Sequence, residues 1–179
     1  LQLQADMMAA PVSPALLADL TARLQAEFPS TRMKFRSSTN AEDLAHFTAS
    51  GQALVRQYNA YEPFPGVHIN GQLTLGENVA DLGGLMLAYV AWKNETRGQK
   101  LESIDGFTPE QRFFLAWAQI WRSNITDAGQ RQRILTDPHS PGRWRTNGPI
   151  SNMPEFAKAF GCKPGDPMVR GDAVRASIW

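Results

Sequence analysis

The stretch that decides the reading is Leu75-Gly76-Glu77-Asn78-Val79-Ala80-Asp81-Leu82-Gly83-Gly84. Val79, Leu82, Met86 and Val90 recur at helical spacing, so from Gly76 onward the chain reads as mainly helical. Glu77 and Asp81 lie at i and i+4 at the start of that helix, and both carboxylates therefore project from one face. Two readings of the pair stand at this point. In one, they are first-turn acids that complement the helix dipole, worth at most about 1 kcal/mol. In the other, Glu77 is a metal or catalytic carboxylate and Asp81 orients a histidine ligand. A glycine inside a helix costs about 1 kcal/mol relative to alanine, so the pair Gly83-Gly84 predicts close approach of another backbone.

Upstream, Val67-His68-Ile69 and Gln72-Leu73-Thr74-Leu75 flank Asn70-Gly71, the strongest short-range signal for a hairpin. Before it, a short helical stretch is expected over Ala53–Tyr58. Residues 11–28 read as an amphipathic helix, and Met33 and Phe35 as a short strand running into a polar turn. Downstream, Thr108-Pro109-Glu110-Gln111 is a capping box with proline at the first position, opening a helix to about Asn124. Phe113, Phe114, Leu115, Trp117, Ile120 and Trp121 leave it little polar surface, so it is expected to be covered on most sides. A polar helix follows over Asp127–Leu135. Asn152 and Glu155 form a further capping pair, opening a short helix that ends at Gly161. The expected class is mainly α with one β-hairpin.

Between those helices runs Asp137-Pro138-His139-Ser140-Pro141-Gly142, which is read as a loop, with Arg143 and Arg145 just beyond it. An imidazole there with a guanidinium nearby can stabilise a developing oxyanion; equally, His139 fits a surface turn. His68 is read as a cross-strand side chain, and His46 has no evident partner. No two histidines lie three to five residues apart, so no histidine pair of the helical zinc-binding kind is present.

Composition narrows the classes. The 179 residues are 42% hydrophobic and 20% charged, within the range of folded globular chains. With 18 Lys and Arg against 17 Asp and Glu, the net charge of +1 points to neither nucleic acid nor an anionic membrane. The single cysteine, Cys162, excludes an internal disulfide framework and any multi-cysteine metal site. No apolar run approaches the ~20 residues of a membrane span. The chain starts at Leu1 without an initiator Met or signal-peptide pattern, which reads as a processed product or a fragment.

Taken together, residues 52–179 resemble the C-terminal part of the neprilysin family of zinc metallopeptidases. The resemblance is carried by Gln57-Tyr58-Asn59-Ala60-Tyr61-Glu62-Pro63, Val67-His68-Ile69-Asn70-Gly71, the Leu75–Gly84 stretch, Arg112–Gln119, Asp137-Pro138-His139-Ser140-Pro141, Asn152–Phe156 and the terminal Trp179. It implies that Glu77 is a zinc ligand and that Asp81 orients a ligand histidine. It further implies that His139 stabilises the transition state and that Arg145 binds the substrate backbone. Peptides are the implied substrates, zinc the implied cofactor and an extracytoplasmic or periplasmic site the implied location. The sequence contains no H-E-x-x-H, the family's source of two zinc ligands and the general base. The expected fold is thus a zincin-like metallopeptidase C-terminal part, incomplete and inactive alone, with a separate chain as one possible source of that helix.

Residues 1–48 are set apart from that resemblance. Phe35-Arg36-Ser37-Ser38-Thr39-Asn40-Ala41-Glu42-Asp43-Leu44 is similar to the nucleotide-binding domain of phosphoenolpyruvate synthase and pyruvate phosphate dikinase. The resemblance implies that Arg36 contacts ATP phosphates. One strand and one helix cannot enclose a nucleotide, so ATP binding is not expected. The joint between the two resemblances is placed near residues 45–52, as in a fusion, and the alternative functions are a phosphotransferase-type ATP-binding fragment or a non-catalytic fusion remnant.

Overall fold

In the computed structural model, which describes the backbone of residues 41–177 and side chains from residue 45 onward, the elements run α1 (Ala41–Asn59), α2 (Leu75–Glu95), α3 (Pro109–Ile120), α4 (Asp127–Thr136), α5 (Gly142–Ile150) and α6 (Pro154–Phe160). The chain divides into two units, Leu1–His46 and Phe47–Trp179. The helix expected over 11–28, the strand at Met33 and Phe35, and Arg36 lie outside the described residues. Among the described residues, pairing of extended backbone is limited to two isolated antiparallel bridges, Phe64–Val67 and Ile104–Phe107.

α3 starts as its sequence dictates. Thr108 Oγ1 accepts from the Gln111 amide at 3.2 Å, and Gln111 Oε1 accepts from the Thr108 amide at 3.0 Å. Thr126 caps α4 in the same way, accepting from the Gly129 amide at 3.2 Å. At the end of α6, Gly161 takes the left-handed conformation with φ 65°. Asn152 does not cap that helix. Its side chain is buried and bonds Gln57 Oε1 at 2.8 Å and the Ala176 amide at 2.9 Å, so Met153 stands at the cap position.

The expected hairpin across Asn70-Gly71 is not formed. A two-residue hairpin turn with Asn-Gly needs φ > 0 at both central positions, and neither residue adopts it. Asn70 Oδ1 instead accepts from the amides of Gln72 and Leu73, at 3.1 and 3.0 Å, and turns the chain directly into α2. Gly71 is required for a different reason: a Cβ there would strike the Val55 carbonyl. His68 accordingly has no cross-strand partner, and its Nδ1 lies 3.1 Å from the Asn59 carbonyl oxygen.

Two apolar clusters hold the helices. Leu54, Tyr58, Ile69, Leu82, Trp144 and Ala176 join α1, α2, α5 and the C-terminal segment. Leu85, Phe114, Ile150 and Met153 join α2, α3 and the end of α5. Each such side chain, when fully buried, contributes roughly 1.5–3 kcal/mol. α1 is longer than the expected Ala53–Tyr58 stretch and runs without a break through residues 45–52. Buried Gln57 on α1 donates to the Gly148 carbonyl at 3.0 Å and to the Tyr61 hydroxyl at 2.8 Å, tying α1 to the end of α5.

Three expectations about the interior are corrected. The inner stripe of α2 is Asn78, Asp81, Leu82 and Leu85, while Val90 is 56% exposed. Gly84 faces open space, and only Gly83 of the pair is buried. α3 is not covered all round: Phe114 is its buried residue, and Ile120 is 68% exposed. Its aromatic residues instead form one face, where Tyr89, Phe113, Phe114 and Phe156 meet with ring centroids 5.1–5.6 Å apart.

At Gly148 on α5 the close neighbour is a buried side chain: a Cβ there would collide with the Tyr58 hydroxyl. Gly148→Ala is expected to destabilise the chain by about 1–3 kcal/mol, as overpacking of a rigid core does. Gly84→Ala is expected to be neutral or to stabilise it by up to ~1 kcal/mol. Urea denaturation of the two variants beside the parent checks the contrast.

Candidate active site

Glu77 and Asp81 occupy the first two turns of α2, one above the other. The helix carries them into different surroundings: Asp81 is 6% exposed and Glu77 38% exposed. Facing them, α5 presents Arg145 from its first turn. The guanidinium holds Asp81 with two bonds, Nε to Oδ2 and Nη2 to Oδ1, each 2.7 Å. The same Nη2 reaches Glu77 Oε2 at 3.1 Å. The plane of the guanidinium lies over the Trp121 ring, 3.9 Å from its centroid.

His139 arrives from the loop before α5. Its Nε2 lies 3.2 Å from Glu77 Oε2, and its Nδ1 lies 2.7 Å from Asp137 Oδ1. The Asp137 oxygen also accepts from the His139 backbone amide at 3.0 Å, so one carboxylate fixes both the ring and the main chain of the histidine. Glu77 Oε2 is thus the point where the guanidinium and the imidazole meet. A cavity of about 260 Å³ opens beside them, with Trp121, Ser123, Ile125, His139 and Arg145 among its walls.

The local electrostatics follow from burial. Burial pushes the Asp81 carboxyl above its ordinary value, against the opposing pull of Arg145. For Arg145 burial works against the cation, but the hydrogen bond and charge of Asp81 outweigh it and hold the guanidinium firmly charged. The His139 backbone amide, and then its ring, lower the Asp137 carboxyl.

The structure brings together Glu77, Asp81, His139 and Arg145, although 68 positions separate the first from the last. Arg36 lies outside the described residues. Asp137 and Trp121 belong to the site as well, and the sequence reading gives neither a role. The signal for Asp137 is the Asp-Pro-His spacing, which lets an Asp side chain bond an amide two residues on; Trp121 carries no local signal. A catalytic zinc ion takes three protein ligands. Among the described residues no group of three or more His, Cys, Asp or Glu is placed to hold a metal, and Glu77 Oε2 already faces a guanidinium and an imidazole. None of the described helices is long and apolar enough to cross a membrane.

Comparison with known proteins gives the arrangement a lineage. Residues 26–175 match the family model described as Peptidase family M13. The match takes in residues 26–48, which the sequence reading sets apart. The chain is 44% identical over 136 residues to Neprilysin-21 of Caenorhabditis elegans, covering 72% of this chain and 18% of that protein. It is 43% identical over 125 residues to Endothelin-converting enzyme 1 of Homo sapiens, covering 68% of this chain and 16% of that protein. The chain thus spans under a fifth of the length of either relative. Among solved structures, the open state of Mycobacterium tuberculosis zinc metalloprotease ZMP1 superposes with TM-score 0.74 at 39% identity, covering 78% of this chain and 23% of the other.

The Asp81–Arg145 pair yields a pH-dependent expectation. Arg145→Ala leaves a buried carboxylate unpaired, which costs about 3–5 kcal/mol at neutral pH. The folded-state pKa of Asp81, already above its unfolded value of 3.8, then rises further. A carboxyl whose folded pKa exceeds its unfolded one destabilises the fold where it is ionised, and the penalty disappears as pH falls through the folded pKa. The deficit of Arg145→Ala against the parent should therefore shrink between pH 7 and pH ~4.5. Equal deficits at both pH values, by urea denaturation, would contradict a buried ionised Asp81.

Proposed function

The chain belongs to peptidase family M13, and on that footing we propose that it supplies one half of a zinc metalloendopeptidase site acting on peptides. The observation that carries this is the meeting of Glu77, Asp81, His139 and Arg145 within 2.7–3.2 Å of one another in successive contacts. Chance does not readily bring a histidine and an arginine from such distant positions to a single oxygen of Glu77, with Asp81 holding the arginine.

Each residue has a part that its surroundings support. Glu77, partly exposed and held through one oxygen, is the carboxylate this chain offers to a metal. The two histidines of an H-E-x-x-H helix would come from polypeptide beyond these 179 residues, on the same or a separate chain. Asp81 is buried and saturated by Arg145, so its immediate work is to hold that guanidinium; orientation of a ligand histidine is the part the family adds. Nε and Nη2 of Arg145 are spent on the acids, and Nη1 carries two more N–H donors for a peptide carbonyl. His139, braced by Asp137 and 48% exposed, can donate from Nε2 to an oxyanion at the cavity mouth. The family resemblance also supports an extracytoplasmic location.

A chimera tests the assignment. Residues 41–179 are grafted in place of the matching C-terminal part of Endothelin-converting enzyme 1, and chelator-sensitive cleavage of a fluorogenic peptide is measured. Cleavage is expected, and His139→Phe should lower kcat by about 10²–10³-fold, as loss of one oxyanion donor does. A folded, zinc-loaded chimera without activity would overturn the reading. The 179-residue chain alone is expected to show no cleavage and at most weak zinc binding.

A further inference from the structure

We propose that Asn78 and Ser140 are positioning residues that set His139 against Glu77. The inference rests on the roles proposed above for those two side chains. Asn78 follows Glu77 on α2 and is 0% exposed; Ser140 follows His139 in the loop and is 3% exposed. Ser140 Oγ donates to Asn78 Oδ1 at 2.9 Å, joining two segments 62 positions apart.

The direction of this bond is set from its far end. Thr74 Oγ1 donates to the Asn70 carbonyl at 3.1 Å, so it can only accept from Asn78 Nδ2, which lies 2.8 Å away. The amide oxygen of Asn78 is thereby turned toward the loop, and Ser140 has to be the donor. A one-way chain results: Ser140 to Asn78, Asn78 to Thr74, Thr74 to the backbone at Asn70. It ends on the segment that turns into α2, the helix that carries Glu77.

Exposure decides which contact holds the histidine. The His139–Glu77 pair is 48% and 38% exposed, and polar contacts so open to solvent contribute little, even when both partners are charged. The Ser140–Asn78 bond is out of water, where losing it strands a buried amide oxygen. It sits one residue beyond each member of the pair, and Pro138 and Pro141 restrict the loop on either side. Asp137 holds the ring relative to its own loop; fixing Ser140 on Asn78 holds that loop, and the braced ring with it, against Glu77.

The test compares structures of the 179-residue chain with and without Ser140→Ala. The His139 Nε2–Glu77 Oε2 separation is expected to open from 3.2 Å beyond hydrogen-bond reach. The Arg145–Asp81 contacts at 2.7 Å should persist, because α5 carries Arg145 independently. A His139–Glu77 contact unchanged in the variant overturns the proposal. Opening of both contacts overturns it too, since Ser140 would then only hold the core. Should Ser140→Ala fail to fold, Ser140→Cys keeps a side chain of similar shape with a weak donor and is judged by the same two distances. The readout is geometric, so an inactive chimera refutes the peptidase reading without touching the clamp, and an intact contact refutes the clamp alone.

Discussion

Asp81 and Arg145 form the pair on which the site's geometry depends. One is 6% and the other 13% exposed, so each charge has lost most of its water. Removing two charges from water costs several kcal/mol per ion, and their attraction recovers that only with good geometry. The two parallel bonds at 2.7 Å provide it. Such a pair adds little net stability compared with apolar residues of the same shape. Its consequence is register: α2 and α5 cannot slide past each other without stranding a buried charge. The apolar cluster around Leu82 and Trp144 supplies the burial, and Tyr58 against Gly148 sets how closely α1 approaches α5.

What the sequence shows of the fold varies with how local the deciding forces are. Thr108-Pro109-Glu110-Gln111 needs nothing beyond its own four residues, and the capping box forms. Asn70-Gly71 also acts locally, but the same side-chain chemistry serves two turns. Asn70 bonds the amides ahead of it in either case; the approach of the Val55 carbonyl to Gly71, a tertiary contact, accompanies the helix entry. α5 is the element least legible in advance. Gly142-Arg143-Trp144-Arg145-Thr146-Asn147-Gly148-Pro149-Ile150 holds two glycines and a proline and shows no apolar period. Its glycines are explained only by the folded chain, where Gly142 abuts the Trp121 carbonyl and Gly148 abuts Tyr58.

The site divides along the same line. The acid pair at Glu77 and Asp81 is visible because a helix places i and i+4 together. His139 and Arg145 have no local pattern that sends them to that face, and the residues around His139 fit a surface turn as they stand. Family resemblance brought them in, and the folded chain places them. Burial misled the reading of α2 for a physical reason. Its inner stripe is half polar, with Asn78 and Asp81 beside Leu82 and Leu85, so an apolar pattern passes over the two polar positions and extends to exposed Val90. A functional face turned inward reads as a surface face until its partners are known.

The two acids on that face do different work although they share a helix and a chemistry. Asp81 is enclosed, both of its oxygens are taken, and its charge is balanced at short range by one guanidinium. Glu77 stands a turn closer to solvent and makes its contacts through a single oxygen, at 3.1 and 3.2 Å, to groups anchored elsewhere. Arg145 is anchored by Asp81, and His139 by Asp137 and the loop. Neither the guanidinium nor the imidazole relies on Glu77 to stay in place. A carboxylate whose neighbours are held independently can change partners without the surrounding structure giving way. The buried acid therefore sets the geometry, and the exposed one keeps the freedom to exchange contacts within it.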